Sequence, residues 1–394
     1  MAFEFAPPAI PHVKAGAIKA LTVAAAKRHA DIPNVPTTAE SGLPDFQVSS
    51  WNAVSVILVL REGVSMPQQA ALPLKIAIAT YGHTADLKSG AVPIEGVRPE
   101  FIEVNPQIAA YRRMVRDVEF DVCEIAPSTY MIAREHGSPF KALPIFVSRN
   151  FHHSGFVYRP DAGISKPKDL EGKNAGVRAY SVTTGVWGRG ILQNEYGIDI
   201  SKITWWVDDE EHVTTLKLPS FVKHVPEGKS LVSMMASGEL QAGFTGNAGL
   251  GRTGAPKEGW AAGAAKPAES NYVEFFKDSK KIEAEWYRRT GIYPFHGTIV
   301  VKDSVLKAHP WVAKSLFKAF TEAKERYVKN LPSPDKVSGK DKQMAELAKI
   351  VGDPLPYGIE KNRASIEALI NYVHQQGMLK RSYAVNELFV DPEA

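Results

Sequence analysis

The chain has 394 residues, with 47 Lys and Arg against 43 Asp and Glu, a formal net charge of +4 and 44% hydrophobic residues. That length allows more than one compact unit, and the charge is too dilute and too evenly spread for a nucleic-acid-binding face. One cysteine, Cys123, excludes an intrachain disulfide framework and suits a reducing compartment. The longest apolar run, Ala53–Leu60, is far too short to cross a bilayer.

The N-terminus MAFEFAPPAIPHVKAG lacks a basic stretch followed by an apolar one, so a cytoplasmic location is expected. Residues 1–71 differ in character from the rest: Ala17–Ala26 and Trp51–Leu60 read as strands around a turn-rich run, Asp31–Pro44. The stretches PHVKAGAIKALTVAAAKR and IPNVPTTAESGLPDFQVSSW resemble the late part of tripartite tricarboxylate transporter solute-binding proteins. A fragment of that size buries little core and cannot close a cleft alone, so it is expected to be an appended piece.

From Leu72 strands and helices alternate. Leu74–Ala79 reads as a strand, Pro106–Val118 as a helix and Phe120–Ile125 as the next strand. A helix over Ser128–His136, with Ser128 as N-cap, and strands at Leu143–Val147 and Gly155–Tyr158 follow. A crossing into a second lobe is expected about Ala162–Gly176, then a helix over Ser181–Tyr196 and a strand at Ile203–Val207. Ser230–Ser237 reads as a short helix before a strand at Leu240–Phe244, and Gly249–Gly263 as a loop. Thr298–Val301 returns to the first lobe; Pro310–Val328 is an amphipathic helix, and Ser365–Gln376 is a last helix after a linker. The pattern predicts an α/β protein of two lobes flanking a cleft, the type II periplasmic-binding-protein-like architecture, with an N-terminal extension. The expected division is 1–71 appended fragment, 72–160 and 298–394 lobe 1, and 161–297 lobe 2.

Glu119–Arg159 gathers carboxylate, hydroxyl, guanidinium and imidazole groups at the ends of two apolar strands, where open α/β sheets hold ligands. Two motifs mislead. Gly249–Gly254 matches GxGxxG, but Pro256 stops a helix from opening there. Cys123 lies inside an apolar strand with no local base. No phosphate-binding loop, HExxH or paired CxxC pattern is present, so no cofactor is expected.

The runs EFDVCEIAPSTYMIAREHG, KALPIFVSRNFHHSGFVYR, DAGISKPKDLEGKNAGV, TTGVWGRGILQNEYGI, WYRRTGIYPFHGTIVVKD and HPWVAKSLFKAFTEAK recur in order over about 72–390 and resemble the 4,5-dihydroxyphthalate decarboxylase family. The resemblance implies cofactor-free removal of one carboxylate from an aromatic diacid. A small aromatic carboxylate is then the expected partner, with no nucleic acid or membrane and a possible homo-oligomer.

Such chemistry needs an acid aimed at the ring carbon, an anchor for the spectator carboxylate, a partner for the phenol and a dry pocket. His153 is the expected acid, because an imidazole suits proton transfer near neutrality; His152 and His153 are expected on opposite faces of a strand, so that at most one faces the cleft. Glu124 is the expected base for the phenol or orienter of His153, or, if burial raises its pKa, an acid itself, and Arg149 and Arg178 are expected carboxylate anchors. Ser128 and Thr129 in one lobe, with Ser181, Thr183 and Thr184 in the other, sit at expected helix N-termini that favour anions; plain capping is the alternative. Tyr81, His83, Tyr180 and His296 complete the expected substrate-binding set. A non-catalytic solute-binding protein is the competing reading, and a metal-assisted decarboxylase using His153, Glu124 and His83 is a third.

Overall fold

In the computed structural model, residues 2–17, 19–23, 25, 27–43, 53–57, 71–250 and 271–393 are described. Most of the expected Gly249–Gly263 loop, the end of the GxGxxG match and parts of the two expected N-terminal strands lie outside these residues. The chain divides into two units, Met1–Ala70 and Ala71–Ala394. In the first, strands Ala2–Phe5, Ala53–Ile57 and Lys19–Val23 form an antiparallel sheet in that order, and Val23, Ile32 and Val35 are buried together.

The second unit begins with strands β1 (Leu72–Ala77) and β2 (Val97–Phe101), helix α1 (Gln107–Asp117), strand β3 (Val122–Ile125), helix α2 (Pro127–Glu135) and strand β4 (Phe140–Arg149). Strands β5 (Phe156–Tyr158) and β6 (Asn174–Gly176), helix α3 (Thr183–Tyr196), and strands β7 (Thr204–Val207), β8 (Val222–His224), β9 (Ala242–Phe244) and β10 (Val273–Glu274) follow. Helix α4 (Ser279–Thr290) leads to strand β11 (Phe295–Lys302), and helices α5 (Trp311–Lys329), α6 (Gly339–Val351) and α7 (Arg363–Gln375) follow, with a short helical turn at Val385–Leu388.

Two sheets result. The first has the order β2-β1-β3-β11-β4, with β1 parallel to β2 and β3, and β11 antiparallel to both its neighbours. The second has the order β8-β7-β6-β9-β5-β10, parallel from β8 to β9 and antiparallel beyond. The chain crosses once between Arg149 and Phe156 and returns between Glu274 and Phe295. The return strand inserted antiparallel beside β3 is what a type II two-lobed fold requires, and the fold class is as the pattern predicted. The strand at Phe156–Tyr158, expected in the first lobe, pairs in the second sheet.

The expected strands read continuously apolar because both faces are covered: all four residues of β3 are buried. On α5, Val312, Leu316, Phe320 and Ala323 are buried at the predicted spacing, and Tyr327 is half-buried. The sequence pattern misses α4 and α6, whose residues are mostly polar; α6 falls in what reads as a linker. Neither expected serine cap is a cap. Ala126 precedes α2, with Pro127 at its first position, and Val182 precedes α3. The two serine hydroxyls are engaged elsewhere, as described below.

Helix α3 joins the lobes. Trp187 Nε1 donates to the Phe295 carbonyl at 3.1 Å, and Arg189 Nε donates to Gln376 Oε1 at 2.8 Å. A Cβ at Gly190 would collide with the Tyr372 ring of α7, so close packing of α3 on α7 depends on glycine here. Gly190→Ala is expected to destabilise the second unit by about 1–3 kcal/mol, as overpacked cores do. Chemical denaturation would check this, and an unchanged midpoint would contradict it.

Candidate active site

A cavity of about 170 Å³ opens between the two sheets. Its walls include Tyr81, Tyr111, Glu124, Thr129, Ser148, Arg178, Ser181, Thr183, His212, His296 and Gly297. The residues come from the C-terminal ends of β1, β3 and β4, helix α1, the starts of α2 and α3, the turn after β6, the segment after β7, and β11.

Glu124 is buried in β3. The hydroxyls of Tyr81 and Tyr111 donate to its Oε1 at 2.8 and 3.0 Å, and the Ala79 N–H donates to its Oε2 at 3.0 Å. Burial raises its pKa above the ordinary carboxylate value, and these three donors pull the other way. Gly297 lies directly over it: a Cβ there would come within 2.9 Å of Glu124 Oε1 and 2.7 Å of Val147 Cγ2.

His296 is placed by a β-bulge. Phe295 pairs with Arg149 and Gly297 with Ser148, so His296 is the extra residue between them. Its Nε2 lies 2.6 Å from Nε2 of His152, and burial lowers its pKa to about 4. His152 is lowered further by burial and by His296.

Arg178 is the one cation among the described residues that line the cavity. Its Nη1 donates to Asp209 Oδ2 at 2.9 Å, and Arg112 of α1 donates to Asp209 Oδ1 at 3.0 Å. Asp209 is therefore shared by an arginine from each lobe. Arg116 of α1 likewise donates to the carbonyls of Glu211 and His212, at 3.1 and 3.3 Å. The buried His212 has its pKa lowered to about 3 by burial and then by Arg178 and Arg112; its Nδ1 has no partner among the described residues.

The two helix N-termini meet across the cleft. Ser128 donates its hydroxyl to the Ser181 carbonyl at 2.7 Å. That spends its only proton, so the 2.6 Å contact with Thr183 Oγ1 has Thr183 as donor. Ser181 is engaged by Glu211, which accepts its hydroxyl and its N–H (3.2 Å) as well as the Tyr180 N–H (2.6 Å). A protein carboxylate thus fills the anion position expected at Ser181. Thr129 and Thr183 keep the first-turn positions at the cavity wall, with the half-buried Thr184 beside Thr183.

Other expected residues lie off the cavity. His153 sits edge-on between Phe276 and Trp286, at ring distances of 5.5 and 5.3 Å, and its backbone N–H donates to Glu283. The pair His152/His153 lies in a bend beyond the end of β4. Arg149 is locked by the carbonyls of Tyr293 (2.8 Å) and Pro356 (3.0 Å) and by Asn362, over the rings of Tyr293 and Phe146. His83 stacks on Tyr81 at 5.1 Å, and Tyr180 lies under the Arg189 guanidinium at 3.9 Å. His153, Glu124 and His83 do not gather: among the described residues no three His, Cys, Asp or Glu side chains form a candidate metal site. The sequence reading misses Tyr111, Asp209, Glu211 and His212. The acidic run Asp208–Glu211 ending in a histidine was the available signal, since four carboxylates beside a strand end need cations to oppose them.

The fold and the interlobe cavity define a two-lobed protein of the periplasmic substrate-binding type. In agreement, the family model described as "ABC transporter, phosphonate, periplasmic substrate-binding protein" matches residues 97–258, and that of the tripartite tricarboxylate transporter family receptor matches residues 2–57. Over 331 residues the chain is 33% identical to a 4,5-dihydroxyphthalate decarboxylase of Comamonas testosteroni, covering 81% of this chain and 96% of that one. A protein of the same name from Pseudomonas putida is 37% identical over 179 residues, covering 43% of this chain and 69% of that one. The chain belongs to the 4,5-dihydroxyphthalate decarboxylase family. Among solved structures, the aliphatic sulphonate binding protein SsuA of Escherichia coli is similar with a TM-score of 0.47 at 10% identity, covering 82% of this chain and 92% of that one.

Proposed function

We propose that the protein is a carboxy-lyase that converts 4,5-dihydroxyphthalate to protocatechuate and CO2 without oxidation. The observation that carries this reading is the 33% identity to a decarboxylase of that name along 96% of its length. Expelling CO2 directly from an aromatic ring would leave a strongly basic aryl anion. Protonating the carboxylate-bearing carbon first avoids this. The carbon–carbon bond then breaks, its electron pair restores the aromatic ring, and CO2 departs. Each carboxylate of this diacid has a hydroxyl para to it, which pushes electrons toward the carbon to be protonated.

The cavity offers a group for each need. Arg178 anchors the spectator carboxylate with the donors that Asp209 leaves free, helped by the first turns at Thr129 and Thr183/Thr184. Glu124, with Tyr81 and Tyr111, faces the phenol, takes up its proton as charge moves into the ring and gives it back to the same oxygen when the ring regains its electrons. Water is excluded around the departing carboxylate because the lobes are latched through Asp209, Ser128 and Arg116. On this reading the body from residue 72 onward performs the reaction, residues 1–71 are an appended piece, and the buried thiol of Cys123 suits a cytoplasmic setting. A solute-binding protein that holds an aromatic carboxylate without turning it over is the second reading, favoured by the substrate-binding family model over 97–258.

Metal-stripped protein incubated with 4,5-dihydroxyphthalate is expected to release CO2 and form protocatechuate in equal amounts. Saturable binding with no CO2 would move the assignment to the second reading. Activity that returned only with a divalent cation would overturn the cofactor-free route.

A further inference from the structure

We infer that His296 is the acid that protonates the ring carbon and that His152, behind it, is the positioning residue that fixes its ring and shares its charge; this rests on the decarboxylase reading above. The hydroxyl protons of Tyr81 and Tyr111 are already donated to Glu124, which leaves three groups in the cavity wall able to take up a further proton and pass it on: His212, Glu124 and His296. Their surroundings separate them.

His212 has Arg178, Arg112 and Arg116 as neighbours and the Asp209 carboxylate among them, so an imidazolium there meets three guanidinium charges against one carboxylate. Its Nδ1 is buried without a partner, and protonation would add an unpaired buried N–H. His212 therefore stays neutral. Glu124 has its oxygens committed to two phenols and a backbone N–H, an arrangement suited to accepting a proton from the substrate phenol.

His296 meets no such opposition. Its contact at 2.6 Å is another imidazole, so a single N–H lies between two nitrogens in the neutral pair. One added proton converts this into a charge-assisted N–H···N bond, with the charge shared between the rings. The charged groups on the packed elements face elsewhere. On β4, Arg149 is turned into the carbonyls of Tyr293 and Pro356, and Lys141 reaches the Asn386 carbonyl. On α2, Arg134 is paired with Asp303. On β3, Glu124 and Cys123 remain, and neither is a cation. His153, the one neighbour besides His296 that opposes a charge on His152, is itself kept neutral by burial in its aromatic cage. The bulge sets His296 out of the regular pairing of β11, at the wall that Gly297 opens over Glu124.

In the empty cavity burial keeps the histidine pair neutral. A bound dianion reverses that balance, because an opposite charge nearby favours the protonated form. The proton thus enters with the substrate. In the chemical step the imidazolium N–H bond breaks as the ring C–H bond forms; the C–C bond breaks, its electrons return to the ring, and CO2 leaves. His296 is neutral again, and each turnover consumes one proton from solvent.

The test uses the full chain and phthalate, a dicarboxylate without the hydroxyls that drive decarboxylation. Calorimetric titrations at pH 7.5 in two buffers of different ionisation enthalpy report proton uptake on binding. Wild-type protein is expected to take up about one proton per phthalate. His296→Gln is expected to bind phthalate and take up none, and to lose about 10²–10⁴-fold in turnover of 4,5-dihydroxyphthalate, the usual contribution of a positioned acid. His152→Gln is expected to keep KM and lower kcat, with the alkaline limb of the kcat profile moved to lower pH. His296→Gln that takes up a proton, or that turns over at the wild-type rate, overturns the assignment. Should that variant fail to fold, wild-type binding without proton uptake overturns it alone. Wild-type protein that binds diacids and never releases CO2 overturns the decarboxylase reading instead, and the acid assignment with it.

Discussion

Arg178→Met is expected to lower kcat/KM for 4,5-dihydroxyphthalate by about two to three orders of magnitude, mostly through KM. Two effects combine. The cavity loses its one lining cation among the described residues, and Asp209 loses one of its two arginine partners while staying buried. Truncating one partner of a buried, hydrogen-bonded charge pair costs about 2–5 kcal/mol. Arg178→Lys is expected to fall between, because an ammonium keeps the charge but not the planar fork that can hold Asp209 and a substrate carboxylate together. Arg112→Met provides the contrast: it breaks the same latch from the other lobe without touching the cavity wall, so its effect should be smaller and should appear partly as loss of stability. Steady-state kinetics on the three variants would check this, and equal losses for Arg178→Met and Arg112→Met would remove Arg178 as the anchor.

The second large effect is on stability against acid. Burial lowers the pKa of His83, His153 and His296 to about 4 and of His212 to about 3, and it lowers His152 as well. An unfolded histidine titrates near 6.5, so between pH 6.5 and about 4 the unfolded chain binds more protons than the folded one. Folding stability then falls as pH falls through that window. Each of these histidines contributes a slope of up to about 1.4 kcal/mol per pH unit. Two carboxyls act in the opposite sense. Glu283 is raised by burial to about 6, and Glu124 is raised too, so the folded state holds their protons more tightly as pH drops. Five imidazoles outweigh two carboxyls. The expected result is loss of the fold between pH 6 and pH 4, followed by circular dichroism and denaturant midpoints. His153→Phe, which keeps an aromatic ring between Phe276 and Trp286, should retain turnover and move the acid midpoint to lower pH. A midpoint flat from pH 6.5 to 4.5 would show that these imidazoles are not held neutral by the fold.

Local pattern determined a good deal. Continuous apolar runs at β3 and β4 and the amphipathic spacing of α5 made the alternation and the two lobes legible, because each depends on neighbours a few residues away. The same is true of Glu124: a carboxylate at the end of a buried strand must be either paired or functional, and here two tyrosines and a backbone N–H meet it. Recurrence of the family's runs in order carried the reaction class.

Which histidine and which arginine face the cavity could not be read along the chain. His152 and His153 are adjacent, and period-two alternation says only that they diverge. A partner 144 residues away, set out of register by a bulge, holds His152 behind the cavity wall, while Phe276 and Trp286 enclose His153. Arg149 and Arg178 look alike in sequence; carbonyls from Tyr293 and Pro356 consume the first, and Asp209 leaves the second with donors to spare. Ser128 and Ser181 read as caps because capping is a local signal, whereas their hydroxyls are taken by Ser181's own carbonyl across the cleft and by Glu211. The sequence by itself determined the kind of site and the strand ends at which it lies. Only the tertiary structure decided which side chains remain unspent at the cavity wall, because that depends on hydrogen-bond partners far away in the chain that local spacing does not encode.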